Sequence, residues 1–334
     1  MVALSIIKES NAKALPAALP SGLVAVFIGA TSGIGKATLE QFIVATRDKS
    51  PRVYITGRST TAAVPLLAEL RQSNPSASLE FIEQDVSLVR NVDAAVSQIK
   101  QNETKVDLLF ITVGFISFQG RIETTEGLEP SMTTRYYSRA RAIQLLLPLL
   151  NNSENPHVTN VLAGGLEAPL LEDDLDLVKP GNFSIASSSQ HSATMLTLML
   201  EKWAAENPNI SFVHQFPGTV ATPLFTRGSS GVIGFLLRWI VSPIICTFLA
   251  ASPEDAGARS LFHVTNARYT VPARQGLSVP IPEGLETAKQ SGGGVFLVSD
   301  KSESADSEKV LVEQRKLTEK VWEHTQQIYA RVTK

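Results

Sequence analysis

The chain has 334 residues, 43% of them hydrophobic, with 30 Lys and Arg against 32 Asp and Glu for a net charge of −2. That length supplies one large core rather than several small ones, and a near-neutral balance with scattered basic residues excludes the footprint of a nucleic-acid binder, leaving a small molecule as the expected partner. Cys246 is the only cysteine, which excludes a disulfide framework and a cysteine-built metal site and suits a reducing, cytoplasmic compartment.

Residues 1–20 carry Lys8, Glu9 and Lys13 and lack the apolar run of a secretory signal, so they read as an N-terminal extension. From there on, short apolar β-branched runs alternate with longer amphipathic ones. Leu23 to Ile28, Arg52 to Thr56, Leu79 to Gln84, Val106 to Val113, His157 to Ala163, Ile210 to Phe216 and Gly294 to Ser299 read as strands. Helices are expected over Ile34 to Asp48, Thr61 to Ser73, Leu88 to Asn102, Glu129 to Leu150 and Ser187 to Glu206. Ser252-Pro253-Glu254-Asp255 combines a capping serine, a first-turn proline and two acids, and predicts a further helix to about Val264. Val312, Leu317, Val321, Trp322 and Ile328 predict a closing helix. Runs buried on both faces and separated by helices specify an α/β fold: a Rossmann-type doubly wound parallel sheet of about seven strands, with helices on both faces, as one domain over 21–334.

After the first strand comes IGATSGIGKA, in which Gly29, Gly33 and Gly35 open a helix, with Thr31, Ser32 and Ile34 between them. Such a turn lets backbone N–H groups and the helix dipole approach a pyrophosphate. On these residues the chain resembles the short-chain dehydrogenase/reductase family, whose T-G-x-x-x-G-I-G motif occupies this turn; Ile28 replaces the first threonine. The resemblance implies a nicotinamide dinucleotide cofactor. Gly57-Arg58-Ser59 ends the second strand with no carboxylate and with an arginine fork suited to a 2′-phosphate, so NADP(H) is expected over NAD(H). By the same resemblance Asp85 and Val86 contact adenine, Gly114 contacts the ribose and Thr222 reaches the nicotinamide carboxamide. The family's N-N-A-G at the fourth strand is here ITVG, so polar bracing of the central sheet is expected to be lost.

The family's chemistry rests on an asparagine, a serine and a Tyr-x-x-x-Lys pair, and all four positions differ. Alignment places Arg135 at the asparagine, Ala163 or a neighbour at the serine, Ser187 at the tyrosine and His191 at the lysine. Ser187 and His191 are i, i+4 on one helix and can touch, with Ser188 as an i, i+3 alternative. His191 is therefore the expected general acid or base with Ser187 as its partner, Arg135 can hold an enolate, carboxylate or phosphate, and Tyr136 or Tyr137 can return the missing phenol. A retired site is the bland alternative. The EDDLDL run from Glu172 to Leu177 is expected to be a solvated loop, and His214, which shares a strand face with Phe212 and Phe216, a core histidine.

Residues 219–251 are apolar, and the resemblance makes them a substrate lid in which Phe225, Phe235, Leu236, Trp239 and Ile240 line a greasy pocket. Arg238 and Ser242-Pro243 argue against a membrane span over 231–251, leaving membrane-surface contact or packing in a homodimer as open readings. RYYSR and the histidine in place of lysine resemble an atypical fungal branch, related to retinol-dehydrogenase-like members, that is associated with secondary metabolite biosynthesis. The expected function is an NADP(H)-dependent oxidoreductase acting on a carbonyl or alcohol of a bulky apolar metabolite. A non-redox isomerase, dehydratase or cyclase using His191, and a non-catalytic binding protein, remain alternatives.

Overall fold

The computed structural model describes residues 1–222 and 250–334. The lid positions Phe225, Phe235, Leu236, Trp239 and Ile240, and also Cys246, lie outside the described residues. Seven strands form one parallel sheet in the order β3-β2-β1-β4-β5-β6-β7. They are β1 Val24–Ile28, β2 Arg52–Gly57, β3 Ser78–Glu83, β4 Leu108–Ile111, β5 His157–Val161, β6 Ser211–Gln215 and β7 Phe296–Val298. All seven coincide with expected strands. β4 stops at Ile111 rather than Val113, because Thr112 and Val113 both turn their N–H groups onto the Ile28 carbonyl.

Alternation along the strands splits the core in two. Val24, Val26 and Ile28 pack with α5 (Val89–Asn102), α7 (Ser138–Asn151) and α8 (Ile185–Glu206). Ala25 and Phe27 pack on the other face with α3 (Gly33–Ala45), α4 (Thr60–Ser73) and α9 (Pro253–Thr265). Period-two alternation with both faces covered is what makes the strands read as continuous apolar runs. The short helix α1 (Leu4–Glu9) and the π-turn Ser10–Ala14 that joins it to α2 (Leu15–Ala18) lie against α9, where Asn11 Nδ2 donates to the Ala258 carbonyl at 2.8 Å. No helix among the described residues is long and apolar enough to cross a membrane.

The helix expected from Glu129 to Leu150 is broken into three pieces. α6 (Pro130–Met132) runs into a π-turn over Thr133–Tyr137 and then into α7. The closing region is α10 (Glu308–Gln314) followed by α11 (Thr318–Val332), whose Tyr329 hydroxyl donates to the Tyr137 carbonyl at 2.8 Å. α11 thereby lies across the outer side of the π-turn.

His157, His214 and His263 are each no more than 1% exposed, and burial lowers their pKa values to about 4, about 3 and about 3. The unfolded chain protonates these rings near pH 6.5, whereas the fold resists protonation until near pH 4 or below. Their stabilising contribution is therefore complete above the unfolded pKa and is lost as pH falls through that window. His263 makes the sharpest test, since neither ring nitrogen has a partner among the described residues. His263→Phe should flatten the dependence of unfolding free energy on pH between 6 and 4 by one proton, about 1.4 kcal/mol per pH unit, measured by urea unfolding; an unchanged slope would count against a neutral buried ring.

Candidate active site

In a parallel sheet the carboxyl ends of the strands all open to one edge, and ligands sit in the crevice there. At that edge β1 runs into the glycine turn. Gly29 has φ 94° and Gly33 has φ 58°, a region that side chains avoid. A Cβ on Gly29 would lie 2.4 Å from Val113 N, one on Gly35 would lie 2.5 Å from the Gly29 carbonyl oxygen, and one on Gly33 would lie 3.0 Å from Thr222 Cγ2. The glycines thus hold β1, β4 and Thr222 together at one point. Ser32 caps α3 in extended conformation without a side-chain bond, so the first N–H groups of the helix remain available to an anion.

Thr31 is exposed and its Cγ2 would lie 2.8 Å from a Cβ at Gly57, which ties this turn to the end of β2. Arg58 follows, exposed and with no partner among the described residues. Ser59 next to it caps α4 by accepting from Ala62 N–H at 3.2 Å. The exposed Asp85 accepts Ser87 N–H at 3.0 Å through Oδ1, while the buried Val86 offers its carbonyl to Ser138 Oγ at 2.5 Å. Gly114 is exposed beyond β4. Every expected cofactor position therefore lies at the carboxyl edge of β1, β2, β3, β4 or β6.

The lost asparagines of the ITVG strand end do not leave it unbraced, contrary to the expectation from sequence. Arg139, 1% exposed, donates from Nη1 to the Ile111 carbonyl at 3.2 Å, from Nη2 to the Val113 carbonyl at 2.5 Å and from Nε to the Thr134 carbonyl at 3.1 Å. Thr112 Oγ1 adds a bond to the Gly29 carbonyl at 2.8 Å. Burial, and then the neighbouring Arg135, lower the Arg139 pKa to about 9. Arg135 lies in the π-turn, 7% exposed, and its Nη1 has no partner among the described residues. Burial lowers its pKa, opposed by the charge of Glu129.

The tyrosines face away from the edge, which corrects their expected role. Tyr136 and Tyr137 are fully buried. Tyr136 shares a 2.6 Å hydrogen bond with Thr325, while the Tyr137 hydroxyl donates to Asp176 and meets His324 Nε2 at 2.8 Å. Burial, then the Asp176 charge, push the Tyr137 phenol well above its ordinary value, opposite to what a proton donor near neutrality needs. His324 lies half-buried beside the stripe of Val321, Thr325 and Ile328 on α11, a spacing legible in the sequence. Asp176 carried no such signal, because its partners lie 39 and 148 positions away.

The acidic loop is likewise not simply solvated. Glu172 and Asp173 are exposed, but Asp174 is 8% exposed and accepts from Val178 N–H at 2.8 Å, Lys179 N–H at 2.9 Å and Asn182 Nδ2 at 2.7 Å. This folded loop separates the two residues expected to touch. His191 Nε2 accepts Leu171 N–H at 3.1 Å, leaving the proton on Nδ1, which meets no acceptor at full hydrogen-bond geometry among the described residues, although the nearby Leu175 carbonyl favours the protonated ring. Burial lowers the His191 pKa, so the ring is neutral near pH 7. Ser187 instead completes the cap of α8: its Oγ accepts Ser184 N–H at 2.8 Å and donates to the Asn182 carbonyl at 2.7 Å. Ser188 Oγ donates to the Ile185 carbonyl. His214 is a core histidine, accepting Ala163 N–H at 3.1 Å and meeting Thr197 Oγ1 at 2.8 Å.

A family model described as short chain dehydrogenase matches residues 23–231. The chain is 47% identical to the oxidoreductase notO of an Aspergillus species, described as containing an NmrA-like family domain, over all of this chain and 97% of that one. It is 41% identical to oxidoreductase AN1596 of Emericella nidulans, over 98% of each chain. Among solved structures, levodione reductase superposes with a TM-score of 0.57 at 18% identity, covering 80% of this chain and 98% of that one. A short-chain dehydrogenase from Sphingobium yanoikuyae in complex with NADPH superposes with a TM-score of 0.54 at 18% identity, covering 73% and 84%. The two sequence relatives support an oxidoreductase, the two structures establish the shared fold, and the family match implies a nicotinamide cofactor.

The Tyr137 contacts generate a test that separates architecture from chemistry. Tyr137→Phe should lower unfolding free energy by about 1–3 kcal/mol, because the half-buried Asp176 loses a donor, while nicotinamide-cofactor affinity stays unchanged. Urea unfolding and a fluorescence titration measure the two, and lost cofactor affinity at unaltered stability would return the phenol to the site.

Proposed function

The chain belongs to the short-chain dehydrogenase/reductase family, and we propose that it is an NADP(H)-dependent oxidoreductase acting on a carbonyl or alcohol of a bulky apolar metabolite. The observation that carries this reading is the glycine turn. A Cβ at Gly29 or Gly35 would collide with backbone, and the N–H groups at the start of α3 are left available at the edge where a dinucleotide's phosphates would lie. Arg58, exposed and without a partner among the described residues just after β2, supports a 2′-phosphate. Asp85, Val86, Gly114 and Thr222 then hold adenine, ribose and carboxamide as the family resemblance implies. A bound nicotinamide supplies or accepts the hydride.

This chain's own residues must orient the carbonyl. The Ser187 and Tyr137 hydroxyls are engaged in the α8 cap and with Asp176. With Nε2 taken by Leu171 N–H, the neutral His191 ring offers its Nδ1–H to the carbonyl or alkoxide oxygen as a hydrogen-bond donor, and the proton that completes or leaves the alcohol is exchanged with solvent. The names of the fungal relatives, the oxidoreductase notO and the short-chain dehydrogenase/reductase SAT2 of Stachybotrys chartarum, which is 28% identical over 94% of each chain, support a redox enzyme, and a place in secondary metabolite biosynthesis is inferred only from the resemblance of RYYSR and His191 to an atypical fungal branch. The same engaged hydroxyls favour a second reading, a cofactor-binding protein without redox turnover.

Two variants test the reading. Arg58→Ala should weaken NADPH about 10- to 100-fold and leave NADH nearly unchanged in a nicotinamide-fluorescence titration; equal losses would reverse the cofactor choice. His191→Gln keeps an acceptor for Leu171 N–H but removes the Nδ1 donor. Against apolar ketones it should slow turnover about 100-fold or more at unchanged NADPH affinity, whereas undiminished turnover would assign His191 to holding the loop alone.

A further inference from the structure

Among the described residues the Arg135 side chain is a buried charge with no hydrogen-bond partner. It is 7% exposed and sits in a π-turn, an irregularity that recurs at functional sites. Its surroundings add positive charge: Arg139 acts on the same region, and Glu129 is the carboxylate that acts on Arg135. Glu129 is itself occupied, accepting Met132 N–H at 2.8 Å and Ser131 Oγ at 3.0 Å. Arg139 spends its donors on the carbonyls at the end of β4, which carry no net charge. Arg135 thus has one carboxylate acting on it and a second guanidinium nearby, in a buried region beside the carboxyl end of β4. A buried cation left in this state destabilises a fold, so its retention points to an anion that arrives.

Asn160 adds uncommitted polar capacity nearby. It is fully buried on β5, in register with Ile111, and neither its Oδ1 nor its Nδ2 has a partner among the described residues. It shares a strand face with Val158, which packs in the core beneath α7 and α8. The phosphate-binding turn opens α3, on the opposite face of the sheet, which separates Arg135 from the groups suited to a cofactor's phosphates.

We propose that Arg135 binds an anionic oxygen of the organic substrate, which is then an apolar molecule carrying a carboxylate or an ionised β-dicarbonyl. The inference rests on the oxidoreductase reading above for what else occupies the site, but Arg135 can be tested without turnover. A guanidinium in a water-poor pocket favours an oxyanion over a neutral isostere of the same shape. The arginine thereby supplies substrate selection at the position where the family resemblance has an asparagine.

The test is calorimetric titration of the full chain, with and without NADPH, using 2-naphthoate and its neutral isostere 2-naphthamide. Wild type should bind naphthoate at least ten-fold more tightly than naphthamide. Arg135→Met should erase that preference, leave naphthamide and NADPH affinity unchanged, and leave the free protein's melting temperature equal or higher. Dibenzoylmethane, whose enolate absorbs apart from its neutral forms, probes the second chemistry: wild type should stabilise the enolate on binding and Arg135→Met should not. Response to either probe supports the proposal, and response to neither overturns it. A preference that persists in Arg135→Met, or a variant that loses NADPH affinity in place of naphthoate affinity, overturns it as well. Should Arg135→Met fail to fold, Arg135→Gln gives the neutral comparison and Arg135→Lys should retain part of the preference. Failure of wild type to bind NADPH would sink the oxidoreductase reading while the naphthoate preference of the free protein still decides the role of Arg135.

Discussion

The guanidinium of Arg139 reaches from α7 to the carbonyls of Ile111 and Val113 and also holds the Thr134 carbonyl inside the π-turn. Where β4 leaves the ladder its carbonyls would otherwise face a dry interior, and unpaired buried acceptors are costly. One side chain resolves this for the strand end and for the irregular helix together. The glycine turn depends on the same place, because Gly29 lies against Val113 so closely that no side chain fits between them. The distance between β1 and β4, and with it the shape of the carboxyl edge, follows from this contact.

Charge is distributed around that edge with a consistent logic. At the opposite, amino-terminal edge the buried acids are fully used: Asp107 accepts Val24 N–H, Lys105 and Ser153, and Glu103 holds Arg52 and Tyr54. Those carboxylates brace strands and leave little capacity for a ligand. At the carboxyl edge Arg58 is exposed and Arg135 is buried, and both lack partners among the described residues. The buried carboxylates are thus paired at one edge, while the two arginines at the other have no partner among the described residues.

The acidic loop shows how distant parts of the chain converge on the chemistry. Asp174 folds the loop on itself, Leu171 fixes the His191 tautomer, and Asp176 reaches Tyr137 and the C-terminal helix. Burial alone would raise the Asp176 carboxyl; the His324 ring, 3.8 Å away, and the Tyr137 hydroxyl outweigh it and keep the group below its ordinary value. The loop is thereby clamped at both ends, and the state of the histidine on α8 is set by main chain that the helix itself does not supply.

The strands, most of the helices and the glycine turn were legible in the sequence because each is a local pattern: a buried parallel strand must be apolar throughout, and a backbone that approaches a neighbour within van der Waals distance must carry glycine. Arg58 was legible for the same reason, since its place after β2 follows from chain order. The i, i+4 spacing of Ser187 and His191 allowed a contact, but spacing gives only reach. Tertiary structure decided otherwise, because the Ser187 hydroxyl was closer to the unmet N–H groups of its own helix start and His191 was closer to Leu171 on a loop 20 positions away. The direction of Tyr137, the burial of Asp174, the partners of Asp176, and the bracing by Arg139 were decided in the same way. Each depends on which buried polar group finds which partner across the fold, and that competition leaves no periodic trace in a sequence.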